Sequence, residues 1–421
     1  MPRSQLTHHV RTHTRLCAAL LALTALTLSG CSTPVPTPDP VTISFTHLDF
    51  YTEIYEGLVA EFNEQYPYII IELMPQSIYD TFDSDEINAT QADVFLGSAL
   101  DIRRLRAEDA ILSLEPFVIQ DPGFDQDDFY PNILDLFKDE NELWGVPEHA
   151  EIMVMYYNRD LFDLHGEITY PTIGWTWDEF LDDARALRDP EGEVFGYMPL
   201  AWTLDGLTFV YQHGGQIVDD WHNPTRAIFD DQATLEALEW YADLIHEYDV
   251  VASPQEMEAA FGRSWTRDSA IYQSQVGMWT GWFSQRGQAT WGSEWVMDWG
   301  MVPLPEDEQA ATLAVGNGYF ISSAAQNPEA CWQWISFLSR QLPSTGVPAR
   351  RSVAESPAFD EEVGDEFAAV ARASMENALL IPPQLTELED VGYLAEAINR
   401  VIIGEASAAE ALYDAQRQAE N

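Results

Sequence analysis

Short apolar runs alternate with apolar positions at helical spacing over the first part of the chain. Residues 41–45, 68–73 and 93–96 are β-branched or apolar runs of strand length. Between the first two, apolar residues recur at helical spacing over 50–66 and end at Pro67. A further helical stretch precedes the third run. Strands that alternate with helices predict an α/β fold with a parallel sheet and helices on both faces.

The ends of these three runs are the first candidate ligand-binding segments. Ligands bind parallel sheets beyond the carboxyl ends of the strands. We therefore expect binding loops to begin at Thr46, Pro75 and Gly97.

The remainder of the chain contains both extended and helical patterns. Extended apolar segments are predicted over 144–158, 299–305 and 316–322, a helix over 234–248, and an amphipathic helix that begins at Pro328. There is no internal repeat.

The N-terminal segment has the pattern of a secretory signal. Basic residues without acidic neighbours precede an apolar run over 16–28, which is too short to span a bilayer and ends at Leu28-Ser29-Gly30-Cys31. We expect residues 1–30 to be removed as a signal peptide.

The segment around Cys31 predicts a membrane tether. Leu-Ser-Gly-Cys resembles the bacterial lipobox, which implies cleavage before Cys31 and lipidation of its thiol. Residues 31–40 are dense in proline, which gives a semi-extended linker without a core.

The cysteines and the composition indicate a fold that is stabilised by packing. Of three cysteines, Cys17 lies in the signal and Cys31 at the lipid site, so Cys331 has no partner for an internal disulfide. With 421 residues and 46% hydrophobic composition, the chain can form two domains with a sizeable core.

The net charge excludes one class of partner. The chain carries 20 basic and 70 acidic residues, a formal net charge of −50. Phosphate binding needs a basic surface, so nucleic acid is excluded as a partner. The 12% aromatic content is far above that of acidic disordered tails, so the chain is folded.

Several segments together resemble the extracellular solute-binding proteins of ABC importers, in the maltose-binding-like group (sugar-binding, family 1). The resemblance extends from Val41 to about Gln416 and depends on the order and spacing of its pieces. These pieces are residues 156–162, 174–180, 277–282, 374–378 and 404–412.

The resemblance implies a fold of the periplasmic-binding-protein-like type II class, with two discontinuous α/β lobes and a ligand cleft at the hinge. By analogy, lobe one is 41–149 plus 302–342 and lobe two is 152–298 plus 346–421. The implied hinge crossings lie near Ala150–Glu151, Trp299–Met301 and Ser344–Gly346.

The resemblance also implies a function. It predicts a lipid-anchored, monomeric substrate-binding component that captures a mono- or oligosaccharide and delivers it to ABC permease subunits. Such a protein works at the outer face of the cytoplasmic membrane or in the periplasm. It needs no cofactor or metal and catalyses no reaction.

Sugar recognition has two physical requirements. Hydroxyl groups need fixed donors and acceptors, among which carboxylates form the stronger hydrogen bonds. The apolar faces of a sugar ring need flat surfaces, which Trp and Tyr supply. The 14 tryptophans of this chain suit that need, although most tryptophans belong to cores.

Positions that match the family pattern predict most of the binding residues. Glu151 matches a hinge glutamate that contacts sugar, and Trp282 matches a stacking tryptophan. Asp49 and Phe50 match a sugar-binding loop, although Phe50 stands where maltose-binding protein has a basic residue. Other positions are Ser98 and Asp101 after the third strand, Trp202 and Asp205 near a binding aromatic, and Trp279, Asn317 and Arg351 as loop residues of suitable type.

Three alternatives bear on the site. Asp121–Asp128 is acidic enough for calcium, but it lacks a regular ligand spacing, which favours a solvated loop. A polyamine would suit an acidic cleft, and relatives also take iron or phosphate-containing solutes. An exported glycoside hydrolase would use two carboxylates, but the many acidic residues make chance pairs uninformative.

The motifs of several other enzyme classes are absent from the sequence. The chain has no Gly-x-Ser-x-Gly and no His-Glu-x-x-His sequence. The single lysine, Lys138, does not follow a glycine, which excludes a phosphate-binding loop of the Walker type.

Overall fold

The computed structural model describes residues 39–77, 91–166, 168–189, 194–221, 224–253, 256, 258, 267–288, 294–381 and 391–420. The expected signal peptide, Cys31 and nearly all of the tether lie outside these residues, as does most of the helical stretch expected before the third strand.

Most of the described strands form one sheet. They are β1 Val41–Leu48, β2 Ile69–Gln76, β3 Val94–Ser98, β4 Lys138–Asp139, β5 Glu142–Leu143, β6 Val146–Asn158, β7 Phe195–Met198, β8 Val276–Trp282, β9 Trp299–Val302, β10 Thr312–Ile321, β11 Val347–Pro348 and β12 Ala378–Leu380. The order along the sheet is β2-β1-β3-β10-β6-β8-β7, with β9 and β11 on β6 and β12 on β10. Strands β4 and β5 pair separately.

The α/β fold expected from the sequence is confirmed, but its sheet is mixed. Strand β1 runs parallel to β2 and β3, and β7 runs parallel to β8. Strand β10 runs antiparallel to both β3 and β6. The expectation of a purely parallel sheet is therefore wrong, because β10 returns from a distant part of the chain to pair beside β3.

The helices pack on this sheet. They are α1 Thr52–Gln65, α2 Ile102–Ala107, α3 Glu115–Gln120, α4 Pro131–Leu136, α5 Arg159–His165, α6 Trp177–Leu187, α7 Trp202–Gln212, α8 Gln232–His246, α9 Arg267–Tyr272, α10 Pro328–Leu338, α11 Arg351–Ala354, α12 Pro357–Val363, α13 Asp365–Glu376, α14 Val391–Ile402 and α15 Ala408–Ala419. In the described part of the chain, none is long and apolar enough to cross a membrane.

Local sequence explains where the longer helices begin. Pro328 opens α10 at a position where its missing N–H costs no hydrogen bond, as expected. Asp231 caps α8 by accepting a hydrogen bond from the N–H of Thr234. Cys331 lies buried in α10 as a free thiol.

Strands β1, β2 and β3 end later than the apolar pattern indicates. Thr46, Pro75 and Gly97 were expected to begin loops, but each lies inside its strand. Apolar periodicity marks only the buried part of a strand, whereas backbone pairing continues into the polar residues that follow.

Strand β6 pairs with more strands than any other strand of the described sheet. Its first half pairs with β10 and β11, and its second half pairs with β8 and β9. Every residue of this strand is buried except Glu151, which is partly exposed. The strand therefore links two halves of the sheet without a break.

The chain after β9 stays beside the second half of β6. Asn158 pairs with Trp299, and the Trp175 indole donates a 2.8 Å hydrogen bond to the Pro303 carbonyl. Only within β10 does the chain move to the first half of the sheet, where Asn317 pairs with Ser98. This pairing differs from the expected return to lobe one at residue 302.

Candidate functional site

Glu151 lies at the midpoint of β6, where the two halves of the sheet meet. Its Oε1 accepts a 2.9 Å hydrogen bond from the backbone N–H of Ser284. Burial raises the pKa of the Glu151 carboxyl, although the charge of His149 and hydrogen bonds from Ser284 oppose this change. A carboxylate with one oxygen fixed in this way is an acceptor ready for a ligand hydroxyl.

His149 forms a buried polar chain beside Glu151. With a proton on Nδ1 it donates to Glu148 Oε2 at 2.9 Å, and Nε2 accepts from Asn317 Nδ2 at 3.2 Å. The Tyr319 hydroxyl donates to Glu148 Oε1 at 2.5 Å. Burial lowers the pKa of His149, but its hydrogen bond to Glu148 and the charges of Glu148 and Glu151 raise it overall.

Trp282 ends β8 directly opposite this part of β6. It pairs with Met153, and its carbonyl accepts a 2.8 Å hydrogen bond from the Tyr156 hydroxyl. Its side chain is only partly buried. A 3₁₀ turn over Phe283–Gln285 follows at once. The same turn carries the Ser284 N–H that bonds to Glu151, and Trp282 pairs with Met153, two residues from Glu151, so Trp282 and Glu151 lie on one face of the sheet.

Arg286 follows that turn. Its Nη1 donates a 3.0 Å hydrogen bond to the Phe283 carbonyl, and its guanidinium lies 4.3 Å from the centroid of the Phe283 ring. The sequence pattern did not indicate Arg286 as a binding residue. The available signal was that it lies two residues after Ser284.

Tyr51 approaches the same cluster from the start of α1. Burial raises the pKa of the Tyr51 hydroxyl, Thr345 lowers it, and the charges of Glu148 and Glu151 raise it further. These influences place Tyr51 near both carboxylates. The family pattern indicated its neighbours Asp49 and Phe50 as binding residues instead.

Of the residues predicted at the ends of β1 and β3, Asp49, Phe50 and Asp101 lie in two 3₁₀ turns, and Ser98 is the last residue of β3. Asp49 and Phe50 are exposed, with 56% of Phe50 accessible to solvent. Ser98 pairs with Asn317 in the sheet, and its hydroxyl caps the next turn by accepting from the Leu100 N–H. Asp101 forms a 3.2 Å ion pair with Arg104.

Two predicted binding residues belong to the core. Trp279 is fully buried within β8 and stacks on Tyr156 with ring centroids 5.9 Å apart. Asp205 is also fully buried and accepts hydrogen bonds from the hydroxyls of Tyr197 and Thr280. These side chains offer no surface to a ligand, because Tyr156 and Trp295 pack on Trp279, and Tyr197 and Thr280 enclose Asp205.

The three residues expected in loops lie in regular structure. Trp279 and Asn317 are strand residues, and Arg351 is the first residue of α11. Asn317 still reaches the central cluster through His149. The guanidinium of Arg351 lies 4.4 Å from the centroid of the Tyr130 ring.

A pocket of about 140 Å³ lies at the carboxyl end of β7. Its lining is largely apolar, with one cation, and Trp202 is the predicted binding residue that it contains. The Arg267 guanidinium donates to the Pro199 carbonyl at 3.1 Å, and the Leu200 N–H donates to the Thr280 hydroxyl at 2.6 Å. The lining residues are Met198, Pro199, Leu200, Ala201, Trp202, Val251, Ala252 and Arg267.

The acidic segment Asp121–Asp128 is engaged within the protein. Asp121 accepts hydrogen bonds from the Gly123 N–H and from the Trp332 indole. Asp128 forms a 3.1 Å ion pair with Arg350. Over the residues that the structure describes, no cluster of His, Cys, Asp and Glu has the arrangement of a metal site.

Comparison with known proteins places the chain among binding proteins. The family model described as bacterial extracellular solute-binding protein matches residues 51–341. An arabinooligosaccharide-binding protein of Halalkalibacterium halodurans is 24% identical over 211 residues, which cover 49% of this chain and 46% of the relative. One of Bacillus subtilis is 23% identical over 56% of this chain and 55% of the relative. The chain thus spans about half the length of the curated relatives it matches.

Solved structures share the fold over nearly the whole chain. An ABC substrate-binding protein of Listeria monocytogenes in complex with cycloalternan has a TM-score of 0.72 at 20% identity, covering 91% of this chain and 98% of that one. The maltose-binding periplasmic protein of Listeria monocytogenes in complex with maltose has a TM-score of 0.71 at 14% identity, covering 90% and 97%. The resemblance seen in the sequence is confirmed, and the chain belongs to the bacterial extracellular solute-binding protein family.

Proposed function

We propose that this protein is the lipid-anchored substrate-binding component of an ABC importer and that it captures a carbohydrate. The observation that supports the proposal is that Trp282 and Glu151 lie on one face of the sheet, beside the turn whose Ser284 N–H bonds to Glu151. An aromatic face beside a hydroxyl acceptor meets both physical requirements of sugar binding. The names of the arabinooligosaccharide-binding relatives agree with this ligand class.

The ligand would lie between two lobes that meet at β6 and β10. We propose crossings near Ala150–Glu151, within residues 314–316, and near Ser344–Gly346. The second replaces the expected crossing at Trp299–Met301, since β9 still pairs with the second half of β6. Lobe one is then 41–149 plus about 317–342, and lobe two is 152–313 plus 346–421.

Gly346 supports the third crossing. It has a φ of 71°, and a Cβ there would lie 2.4 Å from Cδ2 of His149. A residue with a side chain would be strained and would push against the polar chain at the centre of the sheet. Close packing of this kind couples the crossing to the candidate ligand site.

The pocket beside Trp202 would extend the binding surface on lobe two. Tyr156 connects the two regions, because its hydroxyl bonds to the Trp282 carbonyl and its ring stacks on Trp279, which pairs with Met198 in the pocket wall. A site with two aromatic surfaces suits more than one sugar ring. This favours an oligosaccharide over a monosaccharide.

The remaining features follow the family. The lipid at Cys31 would hold the protein at the outer face of the cytoplasmic membrane or in the periplasm, where a monomer would deliver solute to the permease subunits. Neither a cofactor nor turnover of the ligand is part of the proposal. A polyamine fits less well, since the Arg286 cation lies beside Glu151 in the candidate site.

Ligand screening tests the proposal. We expect an arabino-oligosaccharide or maltotetraose to raise the melting temperature of the protein, since a ligand of the folded state stabilises it by mass action. Spermidine and phosphate should not raise it. The saccharide should be recovered intact by mass spectrometry, and scattering should show a smaller radius of gyration with ligand.

Each contrary outcome has a distinct meaning. Cleaved saccharide would identify a hydrolase. Stabilisation by spermidine or phosphate alone would replace the carbohydrate by that solute class. Binding without compaction would contradict the proposed lobes.

A further inference from the structure

Arg286 is a cation held at the centre of the candidate site with its charge incompletely neutralised. Nη1 is held by the Phe283 carbonyl and the guanidinium plane lies against the Phe283 ring. Phe283 itself is fully buried, so this support is rigid. Among the described residues, no carboxylate lies within ion-pair distance of Arg286.

The surroundings of Arg286 come from both sides of the hinge. Burial lowers the pKa of its guanidinium, and nearby Tyr156, Glu151, Glu362 and Tyr51 oppose this change. Tyr51 belongs to lobe one as proposed, whereas Tyr156 and Glu362 belong to lobe two. With the Ser284 N–H two residues earlier bonded to Glu151, these neighbours support a position of the cation between the proposed lobes.

Glu151 and Arg286 are complementary. The backbone N–H of Ser284 fixes one oxygen of Glu151, and Arg286 follows two residues later with N–H groups directed by the Phe283 carbonyl. One member of the pair accepts hydrogen bonds and the other donates them, but they do not pair with each other. A polyol can bridge such groups, because each hydroxyl both donates and accepts.

We propose that Arg286 is a ligand-binding, specificity-determining residue that donates hydrogen bonds to the oxygens of a neutral sugar whose hydroxyl donates to Glu151. This inference rests on the proposed function and deepens it. Trp282, at the start of the same turn, would cover the apolar face of the same ring.

The charges around the pair select against ionised sugars. A uronate would be attracted by Arg286, but Glu148, Glu151 and Glu362, whose charges outnumber that cation, would repel its carboxylate. An amino sugar would bring its ammonium group close to the guanidinium of Arg286, and the nearby carboxylates would offset part of that repulsion. A neutral oligosaccharide avoids both costs.

The test compares Arg286→Gln and Arg286→Lys with the wild type. Arg185→Gln is the matched control, since the guanidinium of Arg185 also lies over an aromatic ring, 4.4 Å from the centroid of Tyr248, outside the site. The probes are arabinotriose, maltotetraose, a galacturonate trimer and a glucosamine trimer. Affinities are measured by calorimetry, and unliganded melting temperatures are measured alongside.

We expect the wild type to bind at least one neutral probe and to bind the galacturonate trimer at least tenfold more weakly. Arg286→Gln should weaken neutral binding by about ten- to a hundredfold, because a charged donor is lost. Arg286→Lys should recover part of that loss. In Arg286→Gln the preference for the neutral probe over the glucosamine trimer should also shrink, which a structural role of Arg286 would not produce.

The failures are separable. If the wild type binds none of the probes, the proposed carbohydrate function fails. If the wild type binds a neutral probe and Arg286→Gln binds it within twofold with unchanged selectivity, Arg286 is not a ligand residue and the proposed function stands. A lower unliganded melting temperature with unchanged selectivity would also overturn the inference.

Discussion

The Tyr197 hydroxyl donates a 2.5 Å hydrogen bond to Oδ1 of Asp205, and both side chains are fully buried. The Ala201 N–H donates to Oδ2 of the same carboxylate at 3.0 Å. This arrangement ties β7 to the start of α7, so Asp205 stabilises the wall of the pocket.

Asp205→Ala should therefore destabilise the protein without changing its ligand contacts. Donors at Tyr197, Thr280 and Ala201 would lose their acceptor, which should cost on the order of 3 kcal/mol. Denaturant unfolding measures this cost, with the exposed Glu239→Ala as a control that should change little. Weakened ligand binding at an unchanged unfolding midpoint would return Asp205 to the binding site.

Trp282 and Trp279 form a matched pair on one strand. Trp282→Ala should weaken saccharide binding by roughly ten- to a hundredfold, since the aromatic surface against the sugar ring is worth about 1–3 kcal/mol. Trp279→Ala should leave affinity nearly unchanged but cost about 3–5 kcal/mol of stability, because it empties a fully buried site. Calorimetry and thermal melting on both variants check these outcomes, and a reversal would exchange the two roles.

Asp183 predicts a pH dependence of stability. Burial first, and then the charges of Asp182 and Glu179, raise the pKa of Asp183 to about 6 from an ordinary value of 3.8. The folded state thus holds the proton more tightly than the unfolded state. This contribution to stability is complete below about pH 4 and is lost as pH rises through about 6.

Asp183→Asn should accordingly be more stable than the wild type at pH 7, with the gain shrinking toward pH 4. Denaturant midpoints across this range measure the effect. The exposed Asp178→Asn on the same helix is the control. A gain that stays constant with pH would mean that titration of Asp183 is not its cause.

Cys31 should carry the membrane anchor. Cys31→Ala would remove the thiol that the lipobox resemblance marks for lipidation, so the protein should move from the detergent phase to the aqueous phase on partitioning. Cys331→Ala serves as the control, because that thiol is buried in α10. Unchanged partitioning of the Cys31 variant would contradict the anchor.

Much of the fold could be predicted because β-branched runs and helical spacing follow directly from burial. The start of α10 and the bounds of β6 were close for this reason. The order of strands was less accessible, since nothing in the local pattern of 316–322 indicates that β10 lies between β3 and β6. Pairing between distant strands depends on tertiary packing and not on local periodicity.

The site was predicted in part. Glu151 and Trp282 came from positions matched to the family and lie on one face of the sheet, and their role in binding stays a prediction. Trp279, chosen by residue type, and Asp205, chosen by its position in the chain, are fully buried, because neither criterion separates a cleft from a core. Arg286 was missed because a turn brings it to the candidate site. Tyr51 was missed because it reaches the site from a separate segment of the chain.

The arrangement around β6 also bears on when the chain can fold. Strand β6 ends at Asn158, yet the strands described beside it begin at Val276 or later and continue to Pro348. Pairings between such distant segments form slowly, because the long loops between them must be ordered before any contact compensates the loss of chain entropy. The nascent chain thus carries its most buried strand without partners until most of it has been synthesised. Together with the proposed signal peptide, this delay predicts that translocation precedes folding, since it would keep the chain open for passage across the membrane.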